Sequence, residues 1–329
     1  MAQVLRSVNA TTHPNLLVGS DTGDDAAVWA RPDGTALVST ADFFTPVVDD
    51  AFTWGRIAAV NAVSDVYAMG ATPMFALNLV AWPRDVLPLE LLAKVMEGGS
   101  SVAAEAGYVV AGGHTVDGPE PMFGQSVVGE VLPDQMLTNA GLRVGDQLIL
   151  TKPLGTGLVA TAVKRSEPGD IAAGGWLHDT YEAAVTEMTR LNAAAAAAAV
   201  GCGATGATDV TGFGLLGHLG RMATASGVSC EIHVAEIPLL TGARQLIDDG
   251  FVPGGTMRNL EYVRGGLDEG TATEEDMILL ADAQTAGGLL FGCTADAAAD
   301  VVADLLESGH GAAAVGVVTT DHAGKISLR

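Results

Sequence analysis

Apolar and polar positions alternate along "AAVWARPDGTALVSTADFF", two β-like runs set around Pro32-Asp33-Gly34, and this pattern predicts a hairpin. A two-residue turn at Asp33-Gly34 places Asp25 directly opposite Asp42. A four-residue loop from Arg31 to Gly34 shifts the register by two and makes them diagonal neighbours. The spacing changes in "DDAFTWGRIAAVNAVSDVYAMGATP", which predicts a helix capped by Asp49 or Asp50, stopped at Gly70 and followed by Pro73. That helix is apolar on nearly every face, as a buried helix is, yet it carries Asn61 and Asp65 four apart on one side.

Further along, "ALNLVAW" reads as a strand and "PLELLAKVMEGGSSVAAEAG" as an amphipathic helix. "YVVAGGHT" reads as a strand breaking into a glycine loop, and "GQSVVGEVL" as another strand. Hairpins, consecutive strands and helices together predict an α+β first domain over residues 1–145, with a mixed or antiparallel sheet. Residues 146–329 begin with the strand "QLILTKPLGTG" and continue with long helices and the strands "CEIHV", "GGLLFG" and "AAVGVV", predicting an α/β second domain. Helix propensity alone accounts for the seven-alanine run after Asn192.

Composition narrows the partners. The chain has 39 acidic against 16 basic residues, a formal charge of -23, so it carries no basic stripe for a nucleic-acid backbone or an anionic membrane. A phosphate-bearing substrate would be repelled unless a cation stood between, which points to a divalent metal. No run approaches the length of a bilayer span, no secretory signal opens the chain, and Cys202, Cys230 and Cys293 are widely spaced. These features predict a cytoplasmic protein with reduced core thiols.

The chemistry gathers in "VGSDTGDDAAV", where Asp21, Asp24 and Asp25 crowd one glycine-bearing loop. Solvated turns have this composition too, but carboxylates facing each other across a hairpin need something positive between them. Asp65, on a helix with no polar side, needs it as well. Hard oxygen ligands with few His or Cys neighbours suit Mg2+, which usually completes its shell with water and substrate phosphates. "AGGHT" and "TDVTGFG" could offer backbone N–H groups to phosphates, yet neither matches a P-loop or a dinucleotide fingerprint. Lys152, at a strand end, could reach a phosphate but reads more readily as a surface charge, and Arg258 reads as either a phosphate contact or a solvated turn residue.

Taken in order, "TGDDAAV", "TADFFTPVVDD", "WGRIAAVNAVSDVYAMGATP", "AGGHTVDGPEP", "LTKPLGTG", "TDVTGFGLLGHL", "VPGGTMRN" and "DAQTAGGLL" resemble the selenophosphate synthetases, also called selenide, water dikinases, of the aminoimidazole ribonucleotide synthetase superfamily. The resemblance implies a homodimer that binds ATP at the meeting of an α+β and an α/β domain. It implies a Mg2+-dependent reaction in which ATP, selenide and water give selenophosphate, AMP and phosphate. Carried onto this chain, it assigns Thr22, Gly23, Asp24, Asp42, Asp65, Gly113, His114 and Thr115 to ATP, and Asp25, Asp65 and Asp209 to metal. Thiamine monophosphate kinase and purine-pathway synthetases share looser versions of two of these stretches, and a non-catalytic ATP-binding dimer is the non-enzyme alternative. Two departures stand out. "DAQTAGG" lacks the proline and serine of the usual DPQTSGG, and the first 93 residues contain neither Cys nor Lys. The resemblance therefore places the selenium-handling Cys or selenocysteine, and its lysine, ahead of Met1.

Overall fold

A computed structural model describes residues 12–21 and 23–329. The first half builds a six-stranded sheet from β1 (Leu16–Val18), β2 (Ala27–Ala30), β3 (Ala36–Phe44), β4 (Thr72–Trp82), β5 (Val109–Asp117) and β6 (Met122–Val131). Their spatial order is β1-β2-β3-β6-β4-β5, antiparallel throughout except for the parallel β4–β5 pair at one edge. The second half contributes β7 (Gln147–Leu150), β8 (Ala207–Asp209), β9 (Ser229–Ile232), β10 (Leu267–Asp268), β11 (Leu289–Cys293), β12 (Ala313–Thr319) and β13 (Ile326–Leu328). These form a mixed sheet ordered β10-β13-β9-β12-β7-β11-β8, with parallel pairing confined to the β10–β13–β9 side.

The helix Ala51–Ala68 lies between the two halves. The Asp50 carboxylate accepts from the Thr53 N–H at 2.8 Å and caps its N-terminus, while Met69 and a left-handed Gly70 (φ 70°) end it. Every residue from Ile57 to Ala68 is buried. One side of the helix packs on β3 and β6, and another meets β8 and the helices His178–Thr189 and Ala193–Gly201 of the second half. This two-sided burial explains why the sequence shows no polar face. The helix also touches its neighbour Leu89–Ala106 backbone to backbone: a Cβ built at Gly55 would lie 1.9 Å from the Val95 carbonyl oxygen, and one at Gly98 2.1 Å from that of Phe52.

The hairpin register differs from both sequence expectations. Val28 pairs with Val38, Trp29 with Leu37 and Ala30 with Ala36. Arg31 N–H bonds the Thr35 carbonyl, so a three-residue loop, Pro32 to Gly34, closes the hairpin, and Gly34 takes the left-handed conformation (φ 91°) that such loops favour. Extending this register sets Ala41, not Asp42, opposite Asp25, and β2 itself begins only at Ala27.

The face of the first sheet away from the helices is apolar and open. Leu17, Trp29, Phe43, Leu77 and Val116 each expose about 40% or more of their surface. Cys230 and Cys293 are buried and Cys202 half-buried, all as free thiols. No helix among the described residues is long and apolar enough to cross a membrane.

Candidate functional site

Four carboxylates from both halves converge beside the Ala51–Ala68 helix. Asp25 leaves the N-terminal loop, Asp42 sits near the end of β3, Asp65 projects from the helix and Asp209 ends β8. Each has a neutral partner. Thr208 Oγ1 donates to Asp25 Oδ1 at 2.9 Å, Asn61 Nδ2 to Asp42 Oδ2 at 2.7 Å, and Thr40 Oγ1 to Asp65 Oδ2. Ser64 stands beside Asp209, its Oγ accepting from Asn192 Nδ2 at 2.8 Å. The helical spacing of Asn61 and Asp65 thus aims both at the first sheet, while Ser64 addresses the second.

No Lys or Arg forms an ion pair with any of the four among the described residues. Burial, reinforced by Asp209 and Asp24, holds the Asp25 carboxyl well above the usual range. Burial and the charges of Asp209, Asp42 and Asp25 do the same to Asp65. Asp42 is raised by burial, and Asp209 is pushed up to about 7, mainly by burial and against the help of Ser64. Asp65 is therefore the centre of the repulsion: it feels both carboxylates that the hairpin alone was expected to bring together.

Two oxygens decide what the cluster can accept. Asp25 Oδ2 and Asp209 Oδ2 are buried and have no hydrogen-bond partner in the protein. Orphaned anionic oxygens of this kind are costly unless a cation meets them. Among the described residues no three His, Cys, Asp or Glu side chains already stand in ligand spacing, so a cation would draw these carboxylates inward. An all-oxygen donor set with nearby hydroxyls fits a hard divalent ion such as Mg2+.

The remaining predicted residues scatter. Asp24 Oδ1 accepts from the Asn139 N–H at 2.5 Å and the Gly23 carbonyl from Asn139 Nδ2 at 2.8 Å, which ties the loop to the turn Asn139–Gly141. Thr22 lies outside the described residues. Gly113, His114 and Thr115 are not in a glycine loop. They pair with Asn78, Leu79 and Val80 as part of edge strand β5, because a bulge between Ala76 and Asn78 absorbs the glycines into the ladder. From Asp42 the row runs through Gln125 and Asn78 to Gly113, three strand spacings or about 14 Å. The segment is exposed at the edge of the open apolar face.

Sequence reasoning misread Lys152. Its ammonium is buried, donating to the carbonyls of Arg190 at 2.7 Å and Ala286 at 2.9 Å, and burial lowers it to about 7. Asn192, hidden at the head of the alanine run, gives its Nδ2 to Ser64 Oγ at 2.8 Å and to the Gly287 carbonyl at 2.9 Å. His218 is buried, kept neutral and lowered to about 3 by burial, and its Nε2 accepts from the Thr211 N–H at 3.2 Å. A groove of about 380 Å3 lies apart from the carboxylates, lined by Leu216, Gly220, Arg221, Tyr262 and Asp21.

Residues 23–131 match the family model of the AIR synthase related protein, N-terminal domain, and residues 143–329 that of the C-terminal domain. Solved structures share the architecture. Thiamine-monophosphate kinase from Stenotrophomonas maltophilia K279a superposes with a TM-score of 0.69 at 20% identity, covering 99% of this chain and 93% of its own. Hydrogenase maturation protein HypE in complex with ATP also gives 0.69, at 22% identity, covering 96% and 86%. The fold and its junctional carboxylates thus define a two-domain protein of the AIR synthase-related class. The sequence relatives are narrower. Selenide, water dikinase of Myxococcus xanthus is 46% identical over 97% of this chain and 89% of its own length, and that of Porphyromonas gingivalis 44% over 98% and 90%. The chain belongs to the selenide, water dikinase family.

Proposed function

We propose that this chain makes selenophosphate from selenide, ATP and water, releasing AMP and phosphate. The observation that carries this reading is the junctional cluster, with its two orphaned carboxylate oxygens, in a chain so similar to named selenide, water dikinases. Mg2+, when bound, would neutralise phosphate charge and orient the transferred phosphoryl group. Asp25, Asp65 and Asp209 hold the metal. Gly23, Asp24 and Asp42, with Thr22, border the nucleotide. Thr208, Thr40 and Asn61 fix the carboxylate orientations. The carboxylates bind and orient; none attacks phosphorus.

The separation of Gly113, His114 and Thr115 from this cluster favours a homodimer formed through the open face of the first sheet. In it the β5 edge of a second copy completes the ATP site. The two units meet near residue 145. Selenide-dependent AMP formation, followed anaerobically by phosphorus NMR, tests the reaction. A selenium-bonded phosphorus signal appearing with AMP is expected, whereas AMP formed equally without selenide, or phosphate transfer to thiamine monophosphate, would overturn it.

A further inference from the structure

The segment "DAQTAGG", residues 282–288, makes a turn gripped from several directions. Ala286 is the only residue other than glycine among the described residues with a left-handed backbone (φ 48°). Its carbonyl accepts from Lys152 Nζ at 2.9 Å, and its N–H donates to Asn61 Oδ1 at 2.8 Å. Next to it, the Gly287 carbonyl accepts from Asn192 Nδ2. The Thr285 N–H is held by Thr156 Oγ1 at 3.1 Å.

Two of these grips, those of Asn61 and Asn192, lead on towards a carboxylate of the site. Asn61 uses its oxygen on Ala286 and its Nδ2 on Asp42. Asn192 spends the same amide nitrogen on Gly287 and on Ser64, which stands beside Asp209. Asn61, Ser64 and Asp42 come from the first half of the chain, whereas Lys152, Asn192, Ala286 and Asp209 come from the second. No other turn described here contacts partners of both Asp42 and Asp209.

We infer that the Thr285–Gly287 turn, locked by Lys152 and Asn192, is a positioning device that sets Asp42 on one sheet and Asp209 on the other at matched depth for a shared divalent cation. The buried ammonium ties the turn's Ala286 carbonyl to the Arg190 carbonyl, two residues before Asn192, so Lys152 is a positioning residue. The left-handed Ala286 points its N–H and carbonyl in the directions that Asn61 and Lys152 require. This inference rests on the metal and nucleotide reading above for its consequence, although the lock itself exists without them.

Two measurements test it on the full chain. Hydrogen exchange of the peptide spanning the turn, in nucleotide-free protein, should quicken about tenfold or more in Lys152→Met and in Asn192→Ala, as local opening becomes easier. Calorimetry with a non-hydrolysable ATP analogue should show the Mg2+ midpoint rising at least about fivefold in Lys152→Met and in Asn61→Ala. The double variant should be within about twofold of the worse single one, because both act through one turn. Midpoints that multiply in the double variant, or a Lys152→Met midpoint unchanged at equal folding, would overturn the inference. If wild-type protein binds no analogue at all, the proposed function fails instead. The exchange result then decides the lock alone, with unchanged exchange in both variants overturning it.

Discussion

Replacing Asp209 with Asn should stabilise the metal-free protein, although the residue lies in the heart of the site. Its carboxyl ordinarily titrates near 3.8 and is pushed up to about 7 here, chiefly by burial, with Asp42 adding repulsion. An acid whose folded value exceeds its unfolded one contributes fully below the unfolded value and loses that contribution as pH rises through the folded one. The window therefore runs from about 4 to 7, and above it the ionised group costs on the order of 4 kcal/mol at ~1.4 kcal/mol per pH unit. Asn removes the charge but leaves a buried amide to be hydrogen-bonded, so the net gain is roughly 2–3 kcal/mol at pH 8. For a chain of 329 residues this corresponds to about 3–5 °C in melting temperature. Scanning calorimetry at pH 8 and at pH 4.5, with and without Mg2+, separates the terms. The variant should gain at pH 8 only, and Mg2+ should stabilise wild type but not the variant. Equal loss of stability at both pH values, or equal stabilisation by Mg2+, would refute the electrostatic account.

Other consequences follow from single contacts. Gly98→Ala drives a methyl into the Phe52 carbonyl and must separate two helices, so urea denaturation should show a loss of about 3 kcal/mol or more. Leu77→Glu, on the open face of the first sheet, should halve the particle mass measured by light scattering while leaving the circular dichroism spectrum unchanged. His218, depressed from 6.5 to about 3, contributes stability above pH 6.5 that is lost as pH falls towards 3. His218→Gln should therefore shrink the stability difference between pH 7.5 and pH 5 by about 2 kcal/mol in urea titrations.

The parts of this site visible in the sequence are those governed by local rules. Asn61 and Asp65 could be placed on one face because 3.6-residue periodicity and an aspartate cap define the helix unaided. The two-domain plan and the acidic character of the site were legible for the same kind of reason. The hairpin register was not: Gly34 permits a left-handed step that adds one residue to the loop, and a one-residue slip exchanges faces. Asp25 and Asp42 nevertheless join one cluster, through Asp65 and Asp209 and not by direct pairing. Lys152 looked like a surface charge because its acceptors, the carbonyls of Arg190 and Ala286, are 38 and 134 residues away. Gly113 read as a loop since glycine usually marks one, whereas here it lies where a Cβ would strike the Asn78 carbonyl at 2.2 Å.

The alanine helix acquires a different meaning from its position. It starts just after Asn192 and ends at Gly201, only a few residues before Thr208 and Asp209. Its composition makes it look interchangeable, and its methyl side chains would accept almost any exposed substitution. Its length is another matter. One alanine added or removed turns everything beyond it by about 100° and moves it by about 1.5 Å. The most monotonous stretch of the chain is thus a spacer of fixed count, tolerant of spelling changes at exposed Ala194 and Ala197 but not at buried Ala195, Ala196 and Ala199, and intolerant of insertions or deletions.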